Sequence, residues 1–453
     1  MPVYRLGRGC LLALLSLIIL GSSSSAFAGV VRLEDLESRM LGSHPAVRAL
    51  DMAVRRAELE VQQARAGLSP KLDLVLYGSK AQEAPKGKVY DFDNVPIGIA
   101  ITGYEETYRA SVALTHLLYS GGTVTSQVRA AQAGLEAAKA DRDRGVEGLL
   151  YRLRASYLAL VRAKGKAQVA QRVVELSEAY LTRVQAFFRV GMVPKAEVLR
   201  AQVALSNARL NLMRAEGAVQ RAYAALDRAA GFPVPRDGEM EQPASLLPEE
   251  LPQDLPDLAA ESRAEIRSLE ESYRQAKALA DAAAGQDRPQ LLFKGEAYRV
   301  GSHFFPSDKD DYLLSLTLQW RSWDGGENRA KARQSLALAE SLLSRVEDMK
   351  LEIRRETVEA LESLREARER VKTAEVMVEQ ATEDHRISLR RYEARVGTNL
   401  DVMDARVRLE QAMNDLVDAR CDLLSSQAAL RYALGEDGWG QIAATGKPVS
   451  KGN

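Results

Sequence analysis

The sequence predicts a mainly α chain with a small β part, organised as long antiparallel coiled-coil helices, and three observations predict it. Two stretches are too long for the helices of a globule: Thr123 to Arg189 lacks proline, and Glu327 to Val396 lacks both proline and glycine. At about 1.5 Å per residue each would reach roughly 100 Å, whereas ordinary helices run three or four turns. The order of elements is written twice along the chain. Short alternating segments of strand type precede each long helix.

Composition agrees. Ala, Leu, Arg and Glu dominate and aromatics make up 6% of the 453 residues, a profile of long helices. Lys plus Arg number 62 and Asp plus Glu 62, so the charge balance gives no reason to expect nucleic acid or another highly charged partner.

At the N-terminus, Arg5 and Arg8 precede the apolar run "CLLALLSLIIL", and a serine-rich stretch ends in "AFA", Ala26 to Ala28. A basic start, a short apolar core and an A-x-A site read as a signal peptide over residues 1–28. The rival, a retained anchor, is weakened by the shortness of the run. Cys10 lies before the apolar core, the wrong place for a lipidated mature terminus. Cleavage leaves Cys421, read as a small buried apolar residue, with a reactive thiol as the sharper alternative.

Each half opens with a helical stretch ending near a proline: His44 to Pro70, then Arg263 to Pro289. Strand-like "KLDLVLYGSK" and "QLLFKGEAYRV" follow. A polar loop comes next, long in the first half (about 81–106) and short in the second (about 301–311). A second strand, "YRASVALTHLLY" or "YLLSLTLQW", ends at a glycine pair, Gly121-Gly122 or Gly325-Gly326. A long helix then runs to "RVG", Arg189-Val190-Gly191 or Arg395-Val396-Gly397, and a return helix completes the half. The repeats are bounded at 29–230 and 258–435, with a Pro-rich linker at 231–257 and a loose tail at 436–453.

Leu336, Ala339, Leu343, Val346, Lys350, Ile353, Thr357, Ala360, Leu364, Ala367, Val371, Ala374, Val378 and Ala381 recur by sevens and threes, a coiled-coil seam imperfect at Lys350 and Thr357. The first half repeats it through Val146, Leu149, Leu153, Ser156, Leu160, Ala163, Ala167, Ala170 and Val174. Packing accounts for all of these residues.

In "YLLSLTLQW", Tyr312, Leu314, Leu316, Leu318 and Trp320 share one face, while Ser315, Thr317 and Gln319 share the other and Leu313 breaks the pattern. An apolar face with aromatic ends suits a lipid-facing outer-membrane strand. A half-buried strand of a soluble sheet alternates likewise. If the sheet lies in lipid it needs closure. Four strands fall short of the roughly eight of the smallest membrane barrels, so several copies would share one barrel.

The duplicated plan, the glycine pairs after the strands and the paired tips "VGMVPKAEVL" and "VGTNLDVMDA" resemble the TolC-like outer membrane efflux protein family over about Val31 to Gly435. The resemblance implies a homotrimer with a twelve-stranded transmembrane β-barrel in the outer membrane and a helical tunnel across the periplasm. It implies passive export, coupled through a periplasmic adaptor to an inner-membrane transporter.

At the tips, Gly191 and Gly397 suit left-handed helix ends. Thr398 and Asn399 suit caps, and Pro194 suits the first turn of the return helix. Glu197 and Asp401 place negative charge near helix N-termini, a reading that needs no function. Asp401 and Asp404 are three apart and share a helix face. The element "DVMD" resembles the family's "DVLD", whose aspartates line the periplasmic entrance; in a trimer these would form stacked carboxylate rings that attract cations. The chain departs from the family in two ways. Asn399 stands where a basic residue is expected. Gly397 to Asp401 is also two residues shorter than Gly191 to Glu197. Adaptor contact is expected at Arg189, Val190, Gly191, Arg395, Val396 and Gly397, which needs only exposed tips.

The sequence contains no nucleotide-binding loop, zinc spacing or nucleophile elbow, so neither an enzyme nor a cofactor is expected. His44, His116, His303 and His385 are scattered and read as structural or surface residues, with His116 on the expected lumen side of its strand. Two alternatives remain beside the channel: a periplasmic adaptor, which also carries long hairpins, and a secreted structural coiled coil.

Overall fold

The computed structural model describes residues 30–83, 86–90, 96–101, 105–238, 240–241, 252, 254–306 and 309–445. The segment read as a signal peptide lies outside them, as do 242–251 of the Pro-rich stretch and 446–453 of the tail. The first half comprises α1 (Leu33–Ser43), α2 (Pro45–Ala66), β1 (Lys71–Lys80), β2 (Lys86–Tyr90), β3 (Pro96–Ile101), β4 (Glu106–Tyr119), α3 (Thr123–Arg189) and α4 (Lys195–Ala230). The second comprises α5 (Leu255–Ser262), α6 (Ala264–Gly285), β5 (Gln290–Gly301), β6 (Lys309–Gln319), α7 (Glu327–Glu393) and α8 (Asn399–Thr445).

The duplication extends to element length: α2 and α6 each have 22 residues, and α3 and α7 each have 67. It also extends to backbone conformation. The residue before a proline is pushed out of the helical region, and His44, before Pro45, breaks α1 from α2 at φ −67°, ψ 129°. Its counterpart Arg263 breaks α5 from α6 at φ −67°, ψ 142° without a proline. Each junction meets a left-handed glycine from its own return helix. A Cβ on Gly231 would lie 2.5 Å from the His44 ring, and one on Gly435 would lie 3.5 Å from Arg263.

Three boundaries differ from expectation. The long polar loop contains the antiparallel hairpin β2–β3. Helix α5 begins at Leu255, inside the stretch read as linker, where Leu255, Ala259 and Ala260 find a core to enter. The end expected at 435 is a kink: Gly435 adopts φ 73°, ψ 162°, and α8 resumes to Thr445. The linker's first part is also docked. Met240 bridges Val31, and the Tyr157 hydroxyl lies 2.9 Å from the Val31 carbonyl and 2.5 Å from that of Glu241.

Helix α3 packs on α4 along one part of its length and on α2, α6 and α8 along others; α7 packs on α6, α5 and α8. Each half has its own core. Leu153, Tyr157, Leu160 and Leu226 anchor the first, and Ile353, Leu364, Leu430 and Leu434 the second. The α7 seam is buried at Ala339, Val346, Ile353, Thr357, Ala360, Leu364, Ala367 and Ala374. Thr357 fits because its hydroxyl donates to the Ile353 carbonyl at 2.8 Å, leaving its methyl to the core. Leu336 and Leu343, near the sheet end, remain exposed in the single chain. On α3 a second buried line, Leu150, Tyr157, Leu158 and Val173, joins the expected seam, because this helix has neighbours on more than one side.

The main sheet is antiparallel in the order β1-β4-β5-β6. Its register places Leu74, Val112, Ala297 and Tyr312 in one row, and Leu72, Leu114, Gly295 and Leu314 in the next, so the apolar face of β6 continues across all four strands. The opposite face carries Arg109, Lys294, Glu296, Tyr298 and Asp311. There Glu296 accepts from Arg109 at 2.6 Å and Lys294 at 2.9 Å. Tyr312, Leu314, Leu316, Leu318 and Trp320 are all exposed. His116, expected on the polar side, falls in the row of Phe293 and Leu316 and bonds the Leu68 carbonyl at 3.1 Å. Each strand pair leads into its long helix through two successive left-handed glycines, Gly121-Gly122 and Gly325-Gly326, a reversal that side chains with a Cβ resist.

Candidate functional site

The two hairpin tips, α3–α4 and α7–α8, lie side by side and share a small core of Tyr180, Val184, Ala201, Tyr392 and Val402. Both helices terminate with the same bond pattern. The Met192 amide donates to the Phe187 carbonyl at 2.8 Å, and the Val396 amide to the Arg391 carbonyl at 2.9 Å, each passing over a left-handed residue. In the first tip that residue is Gly191, at φ 72°. In the second it is Arg395, at φ 64°, not Gly397 as expected. Gly397 is small for another reason: a Cβ there would come within 3.1 Å of the Arg391 Cβ.

This shift accounts for the spacing mismatch. Counted from the left-handed residues, Glu197 and Asp401 lie equally far along their return helices, so "RVG" aligns the letters two residues away from the geometry. Pro194 is the N-cap of α4, one residue ahead of its expected first-turn place. Thr398 caps α8: its hydroxyl accepts the Asp401 amide at 3.2 Å, and the Asp401 carboxylate accepts the Thr398 amide at 2.8 Å, a reciprocal capping box. These bonds hold the Asp401 carboxyl below the usual carboxylate range. Asn399 does not cap. It is 5% exposed, and its carbonyl oxygen accepts from the Tyr180 hydroxyl at 2.8 Å.

Each long helix thus reaches the return helix of the other hairpin: Tyr180 meets Asn399, and Tyr392 donates to Glu197 at 2.8 Å. Arg183 pairs with Glu393 at 2.9 Å, joining the two long helices directly. Burial pushes the Tyr180 phenol up to about 12, and burial followed by the Glu197 bond pushes Tyr392 up as well, so both remain protonated donors. The sequence reading missed these tyrosines. The available signal was a group of aromatics, Tyr180, Phe187, Phe188 and Tyr392, placed toward the tips of helices otherwise rich in Ala, Glu and Arg.

Asp401 and Asp404 are exposed on one face of α8, with Val402 and Ala405 buried behind them. Arg189, Val190, Gly191, Arg395 and Val396 are exposed, and Gly397 is half-buried. Among the described residues, no group of three or more His, Cys, Asp or Glu could hold a metal ion, and no helix is long and apolar enough to cross a membrane.

The family model for outer membrane efflux proteins matches residues 36–232 and 255–436, leaving out most of the Pro-rich stretch between the halves. The chain belongs to the outer membrane efflux protein family. It is an outer-membrane channel-tunnel of the efflux and secretion type. The chain is 28% identical over 409 residues to Protein CyaE of Bordetella pertussis, covering 87% of this chain and 82% of that protein. It is 23% identical over 415 residues to the pyoverdine export outer membrane protein OpmQ of Pseudomonas aeruginosa, covering 91% and 86%. The fold is also that of the outer membrane protein VceC of Vibrio cholerae: TM-score 0.72, 19% identity, 89% of this chain and 96% of that one.

Proposed function

We propose that three copies of this chain form one passive export duct, a twelve-stranded barrel in the outer membrane continued by a helical tunnel into the periplasm. One observation carries the reading. The sheet has an apolar face across all four strands, yet among the described residues its outer strands β1 and β6 each leave one edge unpaired. In lipid every backbone group needs a partner, and identical copies related by symmetry can supply the missing strands. The number three is that of the family the chain resembles. Tyr312, Leu314, Leu316, Leu318 and Trp320 would face lipid, and the charged row around Glu296 the lumen.

The repeats at 29–230 and 258–435 would each contribute one hairpin per copy to the tunnel. Asp401 and Asp404 would ring its periplasmic entrance. The exposed tips at Arg189, Val190, Gly191, Arg395, Val396 and Gly397 would meet a periplasmic adaptor, which links the duct to an inner-membrane transporter. Such a duct performs no chemistry of its own. Fractionation with heat-sensitive oligomer migration, combined with planar-bilayer recording, tests the reading. An outer-membrane trimer that forms pores is expected. A monomer, or a protein recovered from the periplasm or medium without pores, would return the choice to the adaptor or the structural coiled coil.

A further inference from the structure

Between the four helices of the tip lies a cavity of about 190 Å³. Its charged and titratable lining is Arg183 and Tyr180 of α3, His385 of α7 and Arg406 of α8, set among apolar walls such as Leu389 and Val402. No carboxylate lines it among the described residues. Arg183 is already neutralised by Glu393. Arg406 is not: one terminal nitrogen donates to the Ser177 hydroxyl, while its Nε is buried without a hydrogen-bond partner among the described residues. Glu410, one turn further along α8, acts on Arg406 only at a distance, and Asp384, beside His385, is bonded by Arg408 at 2.9 Å.

We infer that this cavity binds one small monovalent anion of the halide class, held by the Arg406 Nε–H. A buried guanidinium donor left unmade is costly, and an anion satisfies both its hydrogen bond and its charge. The uncompensated charge is a single unit, which matches a monovalent ion. The apolar walls suit a weakly hydrated ion, and the volume exceeds the roughly 10–15 Å³ that one water centre needs. Because the lining comes from α3, α4, α7 and α8, the ion would clasp both hairpins in the arrangement described here. This site stands on its own geometry, whether or not the tips gate a duct.

The test uses the full chain purified in detergent, with sodium bromide replacing sodium gluconate at constant ionic strength. Bromide is expected to raise the unfolding midpoint saturably, and Arg406→Gln to weaken that effect about tenfold to a hundredfold. A bromide soak of crystals of the unaltered protein is expected to place an anomalous peak within hydrogen-bond distance of Arg406 Nε. This arm decides the matter even if the variant fails to fold. Equal midpoints in the two salts, or water alone in the cavity, would overturn the inference.

Discussion

The Tyr392 hydroxyl lies 2.8 Å from the Glu197 carboxylate, tying the end of the second long helix to the start of the first hairpin's return helix. Tyr392 is buried and its ring lies 5.9 Å from that of Tyr180, so the bond sits at the edge of an aromatic cluster, partly shielded from water. A hydrogen bond to a charged partner in such a place contributes roughly 1.5–3 kcal/mol. Tyr392→Phe keeps the ring and removes the bond. Faster amide hydrogen exchange in both tips, with no change near the sheet, is the expected result.

Arg395 holds a left-handed conformation that glycine adopts freely. Arg395→Gly should stabilise the second tip by about 1 kcal/mol, the relieved strain outweighing the added freedom of the unfolded chain. Gly191→Ala should destabilise the first by roughly 1–2 kcal/mol. Thermal unfolding of the two variants checks the opposite signs.

Asp401 and Asp404 separate by role. Asp401→Ala removes half of the capping box and should fray the first turn of α8, visible as faster exchange of the amides at 399–402. Asp404→Ala should leave that turn unchanged. If both residues ring an entrance, the double variant should raise single-channel conductance and weaken block by divalent cations. Unaltered conductance and block would remove the aspartates from the axis.

His385 gives the tip a pH dependence of defined sign. Burial, and then the Arg406 charge, hold its imidazole below the ordinary value, with Asp384 opposing. The unfolded chain therefore takes up the proton first as pH falls, and stability drops through the window just below the ordinary histidine pKa of about 6.5. His385→Gln should flatten the fall in unfolding midpoint between about pH 7 and pH 5.

The large features of this fold were legible because they depend on local rules. The absence of proline set the length of α3, and of both proline and glycine that of α7, while alternation set the facing of β6. The glycine pairs marked both turns into the long helices. What escaped depends on contacts between segments far apart in sequence. Tyr157 on α3 sits outside the expected seam because its partners are carbonyls at 31 and 241. The tip register was misread because a repeated "RVG" looks like a repeated turn, and only the backbone shows that Arg395 carries the conformation Gly191 carries. Asn399 looked like a cap; Tyr180, 219 positions earlier in the chain, decides otherwise.

The bare flanks of β1 and β6 also bear on how such a protein is made. A newly exported copy carries two sticky margins through an aqueous compartment, and any stray strand it meets competes with the intended neighbour. Crowding the secretion route favours clumps, whereas slow delivery, or an escort that shields those margins, favours the finished pore.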